Sequence, residues 1–307
     1  MDWRVKGAIQ KLLCVVPGGK RLNSRLQLRV GGLRRFESNV DTKVVNDWLV
    51  LVNHMRELAI PIQGRSFIEM GTGWYPTLPV CYAIAGAARC YTYDLNRLMD
   101  WPLTRRMLAR LEQHLPRIAT ALNEDERVLR DRWAEFNASP TLDALLQRAG
   151  IEYLAPADVT RTQLAAGSID VVFSNSVLEH VPPLIIGAFM EETRRVLKSG
   201  GVAIHSVNCG DHYTYFDPTV TQINYLRYSK AMWGLWNNDL QYQNRLRADD
   251  FLDCARRAGL NVILNLQRPR PELLKDFDYD RVAPEFRRYS REQLCTTSID
   301  FVARAET

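Results

Sequence analysis

The sequence predicts an α/β protein with a doubly wound parallel sheet, and three observations carry this prediction. Short apolar runs of the kind found in buried strands alternate with segments of helical spacing. The first run, Ser66–Met70, passes directly into Gly71-Thr72-Gly73, then a small-residue helix and a second run that ends in Asp94. Two further runs, 260–266 and 298–305, follow a late helix. Repeated strand–helix units of this kind fold into an open sheet with helices on both faces.

The segments between these runs complete the predicted order of elements. Residues 41–60 have the apolar spacing of a helix that begins at an N-cap, Asp41, and ends before Pro61. Residues 96–150 contain no strand pattern and predict a charged helical insertion outside the core, because they exceed a normal connection in length. Its helices are predicted at 98–115, 116–137 and 141–149, and the remaining strands at 151–155, 169–174 and 202–207.

A second insertion, residues 208–247, follows the fifth predicted strand and is rich in aromatic side chains. It is too long for a plain connection and too aromatic for a solvated loop. Ligands of open α/β sheets gather outside the carboxyl ends of the strands. We therefore expect residues 208–247 to form a cap over that edge.

The composition is that of a globular protein with a basic beginning. The 307 residues are 46% apolar, and no apolar run is long enough to span a membrane. The net charge is +5, but residues 1–40 hold nine Lys or Arg against two acids, so the rest of the chain is nearly neutral. A neutral body argues against a nucleic-acid partner. The six cysteines are scattered without a CxxC pair, which favours a reducing, cytoplasmic location.

Residues 1–60, a basic N-terminal arm and helix, precede the main domain at 61–307. An amphipathic helix is predicted near the start and is closed by Pro17-Gly18-Gly19, and residues 22–30 alternate Leu with Arg. Two interpretations stay open. The arm contacts a membrane surface or a partner, or the helix packs on the domain and its charges are solvated. The apolar positions of the helix are Trp3, Ile9, Leu12, Leu13 and Val16.

The strand–glycine–helix–strand unit predicts a ligand that contains adenosine. Gly71 and Gly73 let the backbone turn sharply and approach a ligand, and Asp94 at the end of the second strand can accept both hydroxyls of a ribose. A dinucleotide fingerprint has a glycine at its sixth position, which is Pro76 here, so NAD is disfavoured. A glycine turn without any ligand is the alternative.

Five motifs along the chain occur in an informative order. They are FIEMGTG at 67–73, Asp94, Asp158, IDVVFSNSVLEHV at 169–181 and EETRRVLKSGGV at 191–202. Together they resemble the class I S-adenosylmethionine-dependent methyltransferases, over about residues 62–207 and 248–305. The resemblance implies a Rossmann-like, seven-stranded sheet, S-adenosylmethionine as the cofactor and methyl transfer as the activity. The family's usual third glycine is Tyr75 here.

The resemblance also implies which residues contact the methionine and ribose portions of the cofactor. Glu69 and the turn Gly71-Thr72-Gly73 would hold the methionine portion. Asp94 would take the ribose hydroxyls, with Leu95 beside it. A turn role without ligand contact stays open for Asp94.

At the other end of the pocket, the resemblance implies that Asp158 meets the adenine amino group and that Val159 lies beside the ring. Asn175 and Ser176 would line the floor near the sulfonium. Asp158 could instead be a turn or cap residue.

A general base is required if the acceptor is a hydroxyl or an ammonium group. His180, His212 and Asp211 are the predicted catalytic residues, although a structural role stays open for His180. No metal is predicted, because the spacing of His205, Asp211 and His212 matches no standard site. The full set of candidates at the carboxyl ends of the fourth and fifth strands is Glu179, His180, His205, Asp211 and His212.

The acceptor is predicted to be a small molecule, a sugar or a glycan in a biosynthetic pathway. Aromatic rings and amides of the cap could stack on a ring or on the face of a sugar. An inactive methyltransferase-like binding module and, less favoured, an NAD-dependent oxidoreductase are the alternatives. The amides are Asn224, Asn237, Asn238, Gln241 and Asn244.

Overall fold

The computed structural model describes residues 2–19 and 35–306, and its centre is a seven-stranded sheet. The strands are β1 Ser66–Met70, β2 Arg89–Tyr93, β3 Ile151–Leu154, β4 Ile169–Asn175, β5 Leu197–Asn208, β6 Leu260–Pro269 and β7 Thr296–Ala305. Their order is β3-β2-β1-β4-β5-β7-β6, and only the pairings of β7 are antiparallel. The predicted α/β sheet and its seven strands are confirmed. The segment predicted over 22–30 lies outside the described residues.

Helices cover both faces of this sheet. A π-helical segment, Lys43–Trp48, joins the second helix to the third without a break. The α-helices of the described residues are α1 Trp3–Val15, α2 Phe36–Thr42, α3 Leu49–Glu57, α4 Thr77–Ile84, α5 Trp101–Leu111, α6 Leu115–Leu122, α7 Glu126–Asn137, α8 Leu142–Arg148, α9 Pro183–Val196, α10 Lys230–Trp233, α11 Ala248–Arg257, α12 Pro271–Lys275 and α13 Arg291–Cys295.

The helix before β1 begins earlier than the sequence predicted. It starts at Phe36, which is buried together with Val40, so the apolar spacing extends back beyond the predicted N-cap. Asp41 is not a cap but lies inside α2. Its carboxylate accepts hydrogen bonds from Arg110 at 2.6 and 2.7 Å and approaches His114 at 2.8 Å. The Arg110 guanidinium lowers the pKa of Asp41 to about 2.

The two faces of the sheet carry separate apolar cores, because successive strand residues point to opposite sides. Phe67 packs with Tyr82 and Phe173 on one face, whereas Ile68 belongs to the core under α9 and α11. The charged insertion was predicted to lie outside the core, and this is wrong. Its helices α5–α8 bury one apolar side in the first core and expose their charges on the other, as amphipathic helices do. Its buried side chains include Met107, Leu111, Leu115, Ile118 and Leu129.

The cap, residues 208–247, has a small core of its own that also holds the first helix. Trp3 of α1 is 2% exposed and packs among four cap rings. Its backbone N–H donates to Asp217 of the cap at 3.1 Å. Helix α1 is therefore attached to the cap rather than to the sheet. The four rings belong to Tyr213, Tyr228, Trp233 and Trp236.

The face of α1 that touches the protein differs from the apolar face that the sequence predicted. Beyond Trp3, the buried positions are Gly7 and Gln10, because the small Gly7 lets the helix approach Tyr213 and Trp236 closely. The apolar side chains form an exposed stripe instead. None of the helices among residues 2–19 and 35–306 combines the length and apolar character needed to cross a bilayer. The stripe consists of Val5, Ile9, Leu12, Val15 and Val16, which are 46–75% exposed.

Candidate active site

The turn after β1 brings backbone groups to the carboxyl edge of the sheet. Gly71 and Gly73 have φ values of +84° and +76°, a region that favours glycine. A Cβ on Gly71 would lie 2.7 Å from Cγ2 of Val177, so the loop after β4 packs directly on this turn. A Cβ on Gly73 would meet no atom within 4 Å, so Gly73 borders open space. The Gly73 position is thus accessible to a ligand.

A buried carboxylate lies beneath this turn. Glu69 is 4% exposed and accepts a hydrogen bond from the Thr92 hydroxyl at 2.6 Å, and the Thr72 hydroxyl contacts Thr92 in turn. Burial raises the pKa of Glu69 to about 6, and Lys43 is the cation that opposes this rise. No salt bridge joins Glu69 to a basic side chain within the described parts of the chain. Its charge is therefore available to a cationic ligand group.

Sequence reasoning missed two charged residues of the π-helical segment, of which Lys43 lies near Glu69 and Asp47 near Asn175. Lys43 lies with its Nζ 4.8 Å from the centroid of the Tyr75 ring, and burial lowers its pKa. Asp47 lies one turn further along, beside the amide of Asn175, and burial raises its pKa to about 6. Tyr75 occupies the position of the third glycine and packs on Phe36 at a ring distance of 5.1 Å. The sequence contained a signal for both residues: Lys43 and Asp47 are spaced so that they lie on one face of the helix that precedes β1.

Asp94 lies at the end of β2 and is tied to the glycine turn. Its two carboxylate oxygens accept backbone hydrogen bonds, one from Gly73 and one from Asn96, each at 3.1 Å. Asp94 therefore does stabilise the turn, but each of its carboxylate oxygens keeps a further lone pair that can accept a hydrogen bond from a ribose hydroxyl. Leu95 follows at 75% exposure, where it could cover a ligand.

The remaining predicted cofactor residues lie along the same edge. Asp158 is exposed, and one of its oxygens accepts from the Thr160 N–H and hydroxyl at 2.9 and 2.7 Å, as in a turn. Val159 beside it is buried. Asn175 ends β4, and Ser176 follows with a φ of +53° and donates its N–H to Ser206.

Two of the three predicted catalytic residues come together at the carboxyl ends of β4 and β5. The rings of His180 and His212 are 4.9 Å apart. The His180 Nδ1 lies 2.7 Å from the carbonyl oxygen of Tyr242, which belongs to the cap. Desolvation lowers the pKa of both imidazoles, that of His212 to about 3, although His180 is exposed at the surface and His212 is half-buried. Glu179, buried beside them, has a pKa that burial raises to about 8.

Asp211 and His205 lie apart from this pair. Asp211 is 1% exposed and caps a short 3-10 helix by accepting from the Tyr213 N–H at 2.9 Å and from the Asn224 amide at 3.1 Å. His205 points into the core from β5, where its Nδ1 bonds the Ser174 hydroxyl at 2.8 Å. The His205–Asp211–His212 grouping considered from the sequence is thus not formed.

Residues 49–265 match the model of a protein family that is described as a methyltransferase domain. The chain belongs to this family. This confirms the predicted class I S-adenosylmethionine-dependent methyltransferase family, the methyl-transfer activity and S-adenosylmethionine as the cofactor. A comparison with curated proteins finds no match.

Solved structures similar to this methyltransferase have low sequence identity to it. An S-adenosylmethionine-dependent methyltransferase from Mesorhizobium loti is 14% identical, with 82% of this chain and 95% of that chain covered and a TM-score of 0.44. A putative methyltransferase from Bacillus halodurans is also 14% identical, with 83% and 99% covered and a TM-score of 0.45. A geranyl diphosphate methyltransferase in complex with the cofactor is 13% identical, with 90% and 91% covered and a TM-score of 0.45.

The residues at the carboxyl edge of the methyltransferase fit this cofactor. The carboxylate of Glu69 suits an α-ammonium group, because it is buried without a salt bridge to any described residue. The open space beside Gly73 admits a ligand where a side chain would otherwise lie. The roles of the individual residues stay predictions, which the next two experiments examine.

Replacing Asp94 with Ala is expected to weaken S-adenosylhomocysteine binding by about 1.5–3 kcal/mol, because hydrogen bonds to a charged acceptor are lost. Calorimetry with the folded variant measures this. The control is Asp253→Ala, since Asp253 is 55% exposed on α11 and pairs with Arg256 on its own helix. Equal affinities for Asp94→Ala and the wild type would remove Asp94 from the ribose site.

Affinity for S-adenosylhomocysteine is expected to fall as the pH drops below about 6, the raised pKa of Glu69. Only the carboxylate form attracts an ammonium group, so protonation competes with binding, by up to about tenfold per pH unit. Above that pH this dependence disappears. The charged groups that face Glu69 are Lys43 and Asp94.

Titration calorimetry between pH 5 and 7.5 tests this dependence. Glu69→Gln is the matched variant, and we expect it to bind weakly with little change over this range. An equally steep fall in Glu69→Gln would assign the effect to another group, with Asp47 the next candidate because its pKa is also raised to about 6.

Proposed function

We propose that the methyltransferase modifies a hydroxyl group of a small-molecule, sugar or glycan acceptor that lies between the loop after β4 and the cap. The observation that carries this is the convergence of His180 and His212 at this place. Both lie at the carboxyl ends of adjacent strands, where open α/β sheets bind ligands. A biosynthetic role and a cytoplasmic location stay predictions.

The cofactor end of the pocket would be formed by residues of four strand ends. Bound there, S-adenosylmethionine supplies an electrophilic methyl group on its sulfonium sulfur. Glu69 would hold the ammonium of the methionine portion, with Lys43 near enough to attract its carboxylate. Asp94 and Asp158 would bind the ribose and the adenine. We assign the floor near the sulfonium to Asn175 and Ser176, as the resemblance implies.

The cap would contribute to the acceptor site through few of its aromatic residues. Tyr213, Tyr225 and Trp233 are at most 3% exposed and form the core of the cap itself. Tyr215 is 64% exposed, and its ring lies 5.3 Å from that of His212. We therefore assign stacking against the acceptor to Tyr215, not to the buried aromatic residues.

The amides of the cap, which the sequence analysis considered for acceptor binding, hold the cap together. Asn224 binds Asp211, Asn237 binds Gln243, and Asn238 binds a backbone carbonyl. Gln241 accepts a hydrogen bond from Lys6 of α1, and Asn244 bonds the loop after β4. These bonds explain the order of the cap rather than the recognition of an acceptor.

His180 is the better candidate for the general base. A carbonyl oxygen can only accept, so the contact with Tyr242 places the proton on Nδ1 and leaves a lone pair on Nε2. This lone pair can take the proton of an acceptor hydroxyl. The geometry supports His212 as a second wall residue, whereas Asp211 would act by positioning His212, since its carboxylate is consumed as a cap.

Methyl transfer from labelled S-adenosylmethionine to a panel of phenols, sugars and glycans tests the proposal. We expect His180→Ala to lower turnover by about 10²–10⁴-fold, the usual contribution of a base, with S-adenosylhomocysteine affinity changed less than twofold. Tyr215→Ala should mainly raise the KM for the acceptor. Val128→Ala, an exposed position on α7, is the control.

Two outcomes would count against this function. Full turnover in the His180→Ala/His212→Ala double variant would place the reacting atoms elsewhere. Tight cofactor binding without transfer to any hydroxyl, amine or thiol acceptor would favour the inactive binding module.

We also propose that α1 makes peripheral contact with an anionic membrane. Its apolar stripe is exposed, with Leu12 at 62% and Val15 at 75%, although the helix is attached to the protein through Trp3. The sequence that follows is rich in Lys and Arg up to Arg35. An apolar stripe beside basic residues is typical of helices that lie in the membrane interface.

Sedimentation with vesicles of phosphatidylcholine and phosphatidylglycerol tests this contact at low salt. We expect Ile9→Asp/Leu12→Asp to reduce the bound protein at least tenfold, because each buried Leu or Ile contributes about 1.5–3 kcal/mol. Val128→Asp, an apolar-to-acid change on α7, should bind as the wild type does. A wild-type protein that ignores these vesicles would refute the membrane contact.

A further inference from the structure

Glu179 is a buried acid that no side chain of the described residues pairs with. It is 3% exposed, and only two backbone N–H groups, its own and that of Asn208, lie near its carboxyl group, without hydrogen bonds of normal geometry. The loop after β4 carries it to the carboxyl edge of the sheet, beside His180. A carboxylate in this position is costly unless it is paired with a cation, binds a metal or takes up a proton. The proposed methyl transfer, with His180 as the base, leaves Glu179 without a role.

Each of the two imidazoles keeps one nitrogen that makes no hydrogen bond to the described residues. His180 uses its Nδ1–H on the carbonyl oxygen of Tyr242 at 2.7 Å, so its Nε2 carries the lone pair. The Nε2 of His212 is buried and has no hydrogen-bond partner in the part of the chain that the structure describes. A backbone carbonyl on the far nitrogen is the usual way in which a metal-binding histidine is oriented.

The ligand atoms of the three side chains lie within 4.8 Å of one another. Bonds of about 2.0–2.2 Å to one ion would place them roughly 3.4 Å apart in a tetrahedron, so small side-chain rotations suffice. We propose that Glu179, His180 and His212 bind one divalent transition-metal ion. Two imidazoles and one carboxylate suit Zn²⁺, Fe²⁺, Mn²⁺ or Co²⁺ better than Mg²⁺ or Ca²⁺, which prefer oxygen ligands. No metal was predicted from the sequence, because the spacing of His205, Asp211 and His212 matches no standard site, whereas Glu179, His180 and His212 come together only in the fold.

Three protein ligands leave coordination positions open. Resting on the proposed function, we infer that a hydroxyl oxygen of the acceptor occupies one of them. A bound ion would supply Lewis-acid chemistry, since coordination lowers the pKa of a hydroxyl and lets its proton pass to water. His180 and His212 would then act as ligands, and the ion would replace His180 as the group that activates the acceptor.

The full-length protein, stripped with a chelator, can be titrated with ZnCl₂ by calorimetry and with CoCl₂ by visible absorption. We expect one equivalent of metal and d–d bands of a site with nitrogen and oxygen ligands. Glu179→Gln and His212→Ala should each weaken Zn²⁺ binding at least 100-fold. His114→Ala is the control, because His114 contacts Asp41 in the helical layer and should leave binding unchanged. Binding of S-adenosylhomocysteine verifies that each variant is folded.

The absence of stoichiometric binding by the wild type, or unchanged Zn²⁺ affinity in Glu179→Gln and His212→Ala, would overturn the metal site. These measurements require no acceptor, so such a result would leave the proposed methyl transfer intact. Intact metal binding with no methyl transfer to any acceptor of the panel would instead refute the proposed function alone.

Discussion

The hydrogen bonds of Asn244 hold the cap against the loop that carries the reactive residues. Its side-chain amide donates to the carbonyls of Leu178 and Val181 at 2.7 and 2.8 Å, and its backbone N–H donates to the carbonyl of Glu179 at 3.0 Å. One residue thus satisfies three carbonyls of this short loop. Without these bonds, Glu179 and His180 would lose their alignment with His212.

The buried guanidinium of Arg247 stabilises the same arrangement from the other side of the cap. It is fully buried and donates to the Tyr225 hydroxyl and to the carbonyls of Cys209 and Thr296. These partners belong to the start of the cap, its middle and the beginning of β7. Hydrogen bonds from a charged donor are stronger than neutral ones, so these bonds offset the cost of burying the charge, although the Nε of Arg247 has no partner among the described residues. The cap is therefore bonded to the start of β7 through Arg247 and to the loop after β4 through Asn244.

The N-terminal region shapes both ends of the site. Helix α1 packs on the cap through Trp3, and Lys6 of the same helix lowers the pKa of His212 by its charge. The π-helical segment before β1 brings Lys43 toward Glu69 and packs over Tyr75. Tyr75, which stands where the family usually has a glycine, thus contacts Lys43 of the preceding helix. The aromatic ring takes space that a glycine would leave open, and the lysine lies against it.

The sequence by itself determined the sheet and most of the cofactor edge, because these depend on local signals. β-branched apolar runs identify buried strands, and Gly71-Thr72-Gly73 and Asp94 follow strand ends at fixed spacing. The charged composition of residues 96–150 led to the wrong prediction that they lie outside the core. The helices α5–α8 are amphipathic and bury their apolar side in the core.

Only the tertiary structure decided which polar residues are free to react. Asp211 and His212 are neighbours in sequence, yet the first is consumed as a helix cap and the second faces His180 from a different strand end. Glu179 gained its importance from burial without a side-chain partner among the described residues, and Lys43 from the path of the helix before β1. Burial, hydrogen-bond satisfaction and contacts between distant segments arise when the chain packs. The spacing of residues along the sequence carries no record of them.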